Sequence, residues 1–167
     1  MSKITAISGR VLYNSRGSKT IEVDITTDGK YLGRVCAPSG ASVGKFEAVS
    51  FPNNSPEESL SLLNQNSDKF IGIDSSDLKQ VHDVIHSIDK TDNYAEIGGA
   101  CAFAITIAST ESAANAENKQ LFQMISGKTD LKFPFPLGNI LGGGAHAGPG
   151  TPDIQEILVA SIGAITV

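Results

Sequence analysis

Residues 20–27, "TIEVDITT", followed at once by Asp28-Gly29, constrain this chain more than any other stretch. Ile21, Val23 and Ile25 alternate with Glu22, Asp24 and Thr26, a period of two that puts one face of a strand on a core and the other in water. Asp-Gly accepts positive φ at both positions, so the chain can reverse in a tight hairpin turn. "KYLGRVCA" supplies the returning strand, and "KITAISGRVLYNSRGS" ahead of it supplies a third, ended by the turn-rich residues 14–18. The first forty residues are therefore predicted as an antiparallel meander.

The pattern then changes from two to about four. Ser55-Pro56-Glu57-Glu58 joins a cap residue, a proline at the first helical position and carboxylates facing the helix dipole. Leu60, Leu63 and Phe70 give that segment apolar spacing. A second helix is predicted to start at Ser75 or Ser76, with Leu78, Val81, Ile85 and Ile88 forming one buried stripe. A third, alanine-rich helix runs from about Gly98 to Asn118, and a fourth from about Gln120 to Ile125, stopped by Gly127. From Lys132 two apolar runs, 135–141 and 154–160, read as strands. They flank a loop at 142–152 with five glycines and two prolines. A loop of about eleven residues without its own structure is typically a lid or a binding loop. No internal repeat is apparent.

Composition narrows the function classes. Apolar residues at 40% and charged residues at 19% are a globular balance. A net charge of -5 without any Lys/Arg run argues against a nucleic-acid partner. The most apolar stretch, 97–109, is shorter than the roughly 20 residues needed to span a bilayer, so no membrane span is expected. The N-terminus carries no apolar core of signal-peptide length, which implies a cytosolic chain. Cys36 and Cys101 match neither a metal knuckle nor a disulfide framework, and both are expected as buried free thiols.

Three places could carry chemistry. The loop "SGASVG", 39–44, has no long or charged side chain, and it suits a phosphate cradle, a mobile lid or a plain turn. As a P-loop it fails twice: Gly40 to Lys45 is one residue short of GxxxxGK, and Phe46 stands where Ser or Thr must hold the metal. His82 and His86 lie four apart on one helix face, but nothing completes a zinc set, so a solvated face is expected. His146 in "GGGAHAGPG", with Gln155-Glu156 opening the next strand, is the third. Flanking glycines let such a loop fold over a ligand, and a glutamate at a strand mouth can act as acid, base or water-orienting group.

Three motifs in order resemble the enolase family. "YNSRGSKTIEVDITTDGKYLGRVCAPSGASVGKFEA" is similar to the family's DSRG, N-P-T-V-E-V and PSGASTG followed by E-A. "IGGACAFAITIAS" resembles its LGANAILGVSLA helix, and "FPFPLGNILGGGAHAG" with "IQEILVASIGA" its P-x-P-x-x-N-x-x-N-G-G-x-H-A and Q-E-F-M-I segments. The resemblance covers nearly all 167 residues. It implies an α+β fold: a three-stranded antiparallel meander and a four-helix segment at 1–131, then, at 132–167, an antiparallel strand pair that opens a TIM-like barrel. A complete enolase is about two and a half times this length, so the chain is expected either as a piece of a longer protein or as one needing a second polypeptide.

The implied reaction is the reversible dehydration of 2-phosphoglycerate to phosphoenolpyruvate with two Mg²⁺ ions per complete site. By resemblance Ser42 is a magnesium ligand carried on a lid with Gly40, Ala41 and Gly44. His146 belongs to a second mobile loop near the phosphate and the leaving hydroxyl. Gln155 and Glu156 bind substrate, and Glu156 is an auxiliary acid beside the departing hydroxyl. The family's base lysine, main acid glutamate, phosphate-gripping arginine and three magnesium carboxylates lie beyond Val167, so the chain alone is expected to be inactive. It departs from the pattern at Asn14, Val43 and Phe46, and has one extra residue between His146 and Gln155. Arg16 and Glu22 are implied as interface residues of a homo-oligomer, the family's dimer. The rival reading is a free-standing domain for binding or oligomerisation. A strand pair taken from a barrel leaves an open edge and an apolar face, so self-association or disorder is expected at 133–167.

Overall fold

The computed structural model describes residues 2–40, 43–128, 130–144 and 147–164. Contacts divide the chain into two units, 1–127 and 128–167.

In the first unit β1 (Ile4–Tyr13), β2 (Lys19–Thr27) and β3 (Tyr31–Cys36) form an antiparallel sheet in that order. Asp28 and Gly29 both take positive φ, 52° and 69°, as the hairpin between β2 and β3 requires. Ile21, Val23 and Ile25 are fully buried, while Glu22, Asp24 and Thr26 stay partly accessible on the other face. The alternation in the sequence is thus the alternation of the sheet.

Four helices follow: α1 (Pro56–Gln65), α2 (Leu78–Ile88), α3 (Gly99–Ala116) and α4 (Leu121–Ser126). The Ser55 hydroxyl accepts from the Glu58 amide at 3.2 Å, completing the predicted start of α1. α2 starts at Leu78, two or three residues later than Ser76 or Ser75. Asp77 caps it through the amides of Lys79 and Gln80, at 3.1 and 3.2 Å, because a carboxylate accepts two bonds at once. Ser75 is instead buried, its hydroxyl donating to the Ser2 carbonyl at 3.0 Å. Val81, Ile85 and Ile88 line the buried face of α2.

α3 lies across β2 and β3, with Cys101, Ala104, Ile105 and Ala108 in the core. Its small residues let the helix sit low on the sheet. Between α2 and α3 the fully buried Asp89 carboxylate accepts from Thr91 Oγ1 (2.6 Å) and from the amides of Thr91, Glu96 and Ile97 at 2.8–2.9 Å. That cage fixes the turn leading into Gly98, which enters α3 at φ 87°. Among the described residues no helix is long and apolar enough to cross a membrane.

The second unit holds β4 (Leu137–Gly142) and β5 (Glu156–Ala160), an antiparallel pair. Both strands begin two residues after the apolar runs do. On the β4 side Pro134 and Pro136 have no amide hydrogen to give a ladder, so pairing starts after them.

The two thiols divide. Cys101 is buried as expected, but Cys36 is exposed, because strand parity places it on the solvent face beside Glu22. Its thiol donates to Glu22 Oε2 at 3.0 Å.

Candidate functional site

The first candidate segment leaves β3 through Ala37, whose amide donates to the Ile21 carbonyl at 2.9 Å. Ala41 and Ser42 lie outside the described residues, so the geometry of the loop is that of its two ends. On the entering side, Arg16 Nη1 donates to the Gly40 carbonyl at 3.3 Å. On the leaving side, Glu47 Oε2 accepts from the Gly44 amide at 2.8 Å. Arg16 is itself presented by a turn that Asn14 organises: Asn14 Oδ1 accepts from the amides of Arg16 and Ser18, at 2.9 and 3.0 Å. An asparagine oxygen performs this Asx-type bonding as an aspartate oxygen would, so the departure from DSRG leaves the turn intact.

Beside the loop lies an open cavity of about 480 Å³, lined in part by Ser39, Gly40, Val43, Glu47 and Glu57. Lys19 on its wall is ion-paired with Glu57, and Glu47 is a second carboxylate. Among the described lining residues Lys19 is matched by two carboxylates, a balance that does not favour cradling phosphate. Val43 and Phe46 are exposed, Phe46 at 94%.

The second candidate segment is the β4–β5 connection. Gly143 N–H donates to the Gln155 carbonyl and Gly144 N–H to the Pro152 carbonyl, both at 2.8 Å. A Cβ at Gly143 would fall 2.4 Å from the Pro152 carbonyl oxygen and 2.5 Å from that of Ile154, so only glycine allows this closure. A cavity of about 420 Å³ opens there, lined by Asn139, Gly142, Gly143, Ala147, Gln155 and Glu156. Gln155 and Glu156 thus share one cavity, and both are exposed. His146 lies outside the described residues. Asn139 is a lining residue that sequence reasoning assigned no role. Its signal was its place as the first asparagine of the quoted P-x-P-x-x-N pattern.

The other sequence candidates go elsewhere. His82 Nε2 is 3.3 Å from Thr106 Oγ1, and the His86 ring stacks on Tyr94 with centroids 5.6 Å apart. Among the described residues no three His, Cys, Asp or Glu side chains group as a metal site. Glu22 pairs with Arg10 and lies 3.7 Å from Arg34. Asp24 sits between Arg34 (2.7 Å) and Arg10 (3.0 Å), which hold its carboxyl below the usual range, Arg34 foremost.

An antiparallel meander with four helices after it, then a separate antiparallel strand pair, defines an α+β protein whose glycine-bounded loops carry the polar groups. The chain matches the family model "Enolase, N-terminal domain" over residues 4–125, and it belongs to that family. It is 40% identical over 164 residues to the enolase of Methanosphaera stadtmanae, covering 98% of this chain and 39% of the relative. The enolase of Methanothermobacter thermautotrophicus is 39% identical over 164 residues, with the same coverage. That of Halorubrum lacusprofundi is 38% identical over 169 residues, covering all of this chain and 41% of the relative. The chain therefore spans about two fifths of the length of these relatives.

Proposed function

We propose that this chain supplies the N-terminal domain and the first two barrel strands of a cytoplasmic, homo-oligomeric enolase, at 1–131 and 132–167. That enzyme would interconvert 2-phosphoglycerate and phosphoenolpyruvate in glycolysis and gluconeogenesis. The observation that carries the reading is the collinear similarity to enolases over 98% of this chain, together with Gln155 and Glu156 on one cavity at the head of β5.

The chemistry requires a proton to leave the carbon beside a carboxylate and a hydroxyl to leave the next carbon. Glu156 handles the proton of the departing hydroxyl, a task for a carboxyl held within hydrogen-bond reach of the leaving oxygen. Gln155 orients the substrate from the same cavity, and His146, on the loop before it, approaches the phosphate. By the same resemblance Gly40, Ala41, Ser42 and Gly44 supply a lid loop. Its two ends are held by Arg16 and Glu47.

Two magnesium ions would stabilise the doubly charged anion that forms on proton removal. Among the described residues no side chains group as a magnesium cage, and the resemblance gives this chain Ser42 alone, whereas hard divalent ions want several oxygen ligands. The carboxylates, the base lysine and the phosphate-binding arginine belong to the family's remaining barrel. The 167-residue chain alone is thus inactive.

The test is formation of the enol phosphate from 2-phosphoglycerate with magnesium present. No turnover is expected from the purified chain, and turnover is expected once the rest of an archaeal enolase barrel is supplied, by fusion or in trans. E156Q should remove that restored activity. Turnover by the chain alone, or a folded reconstituted protein without activity, would sink the reading.

A further inference from the structure

β3 is the last strand of its sheet. A strand in that position presents a row of N–H and C=O groups that a second chain can pair with. The ladder fixes which groups look outward. Ala37 N–H donates to the Ile21 carbonyl, so Ala37, Val35 and Gly33 turn their backbone groups toward β2, and Cys36, Arg34 and Leu32 turn theirs away.

Two of these outward groups are occupied by side chains of α3. Arg34 N–H donates to Glu111 Oε2 at 2.7 Å, and the Leu32 carbonyl accepts from Asn115 Nδ2 at 2.7 Å. Glu111 and Asn115 are one helical turn apart on the same face of α3. They reach an N–H and a C=O two residues apart on the strand, on either side of Gly33. At Gly33 the helix touches the strand backbone to backbone, which brings these side chains within reach of the edge.

We propose that Glu111 and Asn115 close the outer edge of β3 against strand addition by a second copy of this chain. The two groups they occupy flank Gly33 as the spaced pair an incoming antiparallel strand would have to bond. To take them, that strand must displace a bond to a carboxylate, stronger than the neutral amide bond that would replace it. The partner excluded is an extended strand of a second copy, which would offer its own backbone to the edge.

The test compares the full chain with E111A/N115A by light scattering over a concentration series, with far-UV circular dichroism to show retained folding. The double variant is expected to exceed the parent's average mass at each concentration. Adding L32P, which removes an outward donor without touching the β2 ladder, should abolish that excess. Hydrogen exchange supplies a second readout: the Arg34 amide should exchange about tenfold faster in E111A, and at close to the parent rate in E111Q, which keeps an acceptor. The single variants E111A and N115A each open half of the edge and carry the same comparison if the double variant does not fold. A folded variant with the parent's mass, or an excess that survives L32P, overturns the proposal.

Discussion

Gly33 in β3 rests directly on Ala108 in α3: a Cβ added at Gly33 would lie 2.0 Å from the Ala108 carbonyl oxygen and 2.6 Å from the Ser112 amide nitrogen. Neither neighbour is a flexible side chain, so the whole helix must move to admit one methyl group. Gly33→Ala is expected to destabilise the first unit by about 3 kcal/mol, the upper end of ordinary overpacking. The urea midpoint of the variant measures it; a midpoint within experimental error of the parent would show that α3 slides freely over β3.

Asp89 gives a prediction with a pH sign. Burial pushes its carboxyl up, but the Thr91 hydroxyl and the amides of Ile97, Thr91 and Glu96 outweigh burial and hold it below the ordinary value. A carboxyl lowered on folding contributes stability that is complete above the unfolded value of about 3.9 and is lost as pH falls through the folded value. Asp89→Asn should therefore be less stable than the parent at neutral pH and should flatten the acid limb of the stability curve. Asp89→Ala, which leaves four donors unmet, should cost about 3 kcal/mol. Parallel stability curves for parent and Asp89→Asn down the acid limb would refute the assignment.

Cys36 should be sluggish despite its exposure. The hydrogen bond to Glu22 is the leading cause that pushes its thiol up to about 11, and burial alone pushes Cys101 up to about 12. Thiolate is scarce at pH 8 for both groups. Alkylation of Cys36 should be on the order of tenfold slower than that of a small-molecule thiol, after allowing for the greater nucleophilicity of a more basic thiolate. Glu22→Gln should speed it. Equal alkylation rates in parent and Glu22→Gln would remove Glu22 as the cause.

The second unit should behave unlike the first. Leu137 and Ile140 on β4, and Ile157, Leu158 and Val159 on β5, are between 44% and 69% exposed. A two-stranded pair without a second layer has no core of its own to hold it. Amides of β4 and β5 should exchange about a thousandfold faster than those of the three-stranded sheet, and association through 133–164 should grow with concentration. Equal protection in both sheets would contradict this.

The legible part of the fold was the part written in local chemistry. Ile21, Val23 and Ile25 announced a half-buried strand, Asp28-Gly29 its turn, and Ser55-Pro56 the start of α1, because each signal acts within a few residues. The start of α2 was misplaced because Ser75, Ser76 and Asp77 all make plausible caps; the bond of Ser75 to Ser2, 73 residues away, and that of Ser76 to Asp74 leave the role to Asp77. Cys36 was misjudged because a thiol's composition-based preference for burial says nothing about which face of β3 it occupies. In the candidate site, Gln155 and Glu156 were visible as a pair at a strand mouth. Asn139 was visible as a motif position, but its place on the same cavity was not, since that depends on the register of β4 against β5.

The sequence by itself determined the element order, the turn between β2 and β3, the apolar stripe of α2 and membership of a family recognised by motifs in register along the chain. Those are short-range properties: side-chain period, cap chemistry and backbone freedom at glycine. Tertiary structure alone decided that Gly33 carries the weight of α3, that Arg16 reaches Gly40, and that Glu111 and Asn115 close an edge 77 and 83 residues away. Each depends on a contact between atoms brought together by packing, where a shift of an ångström makes or breaks a hydrogen bond, and no spacing along the chain encodes that distance.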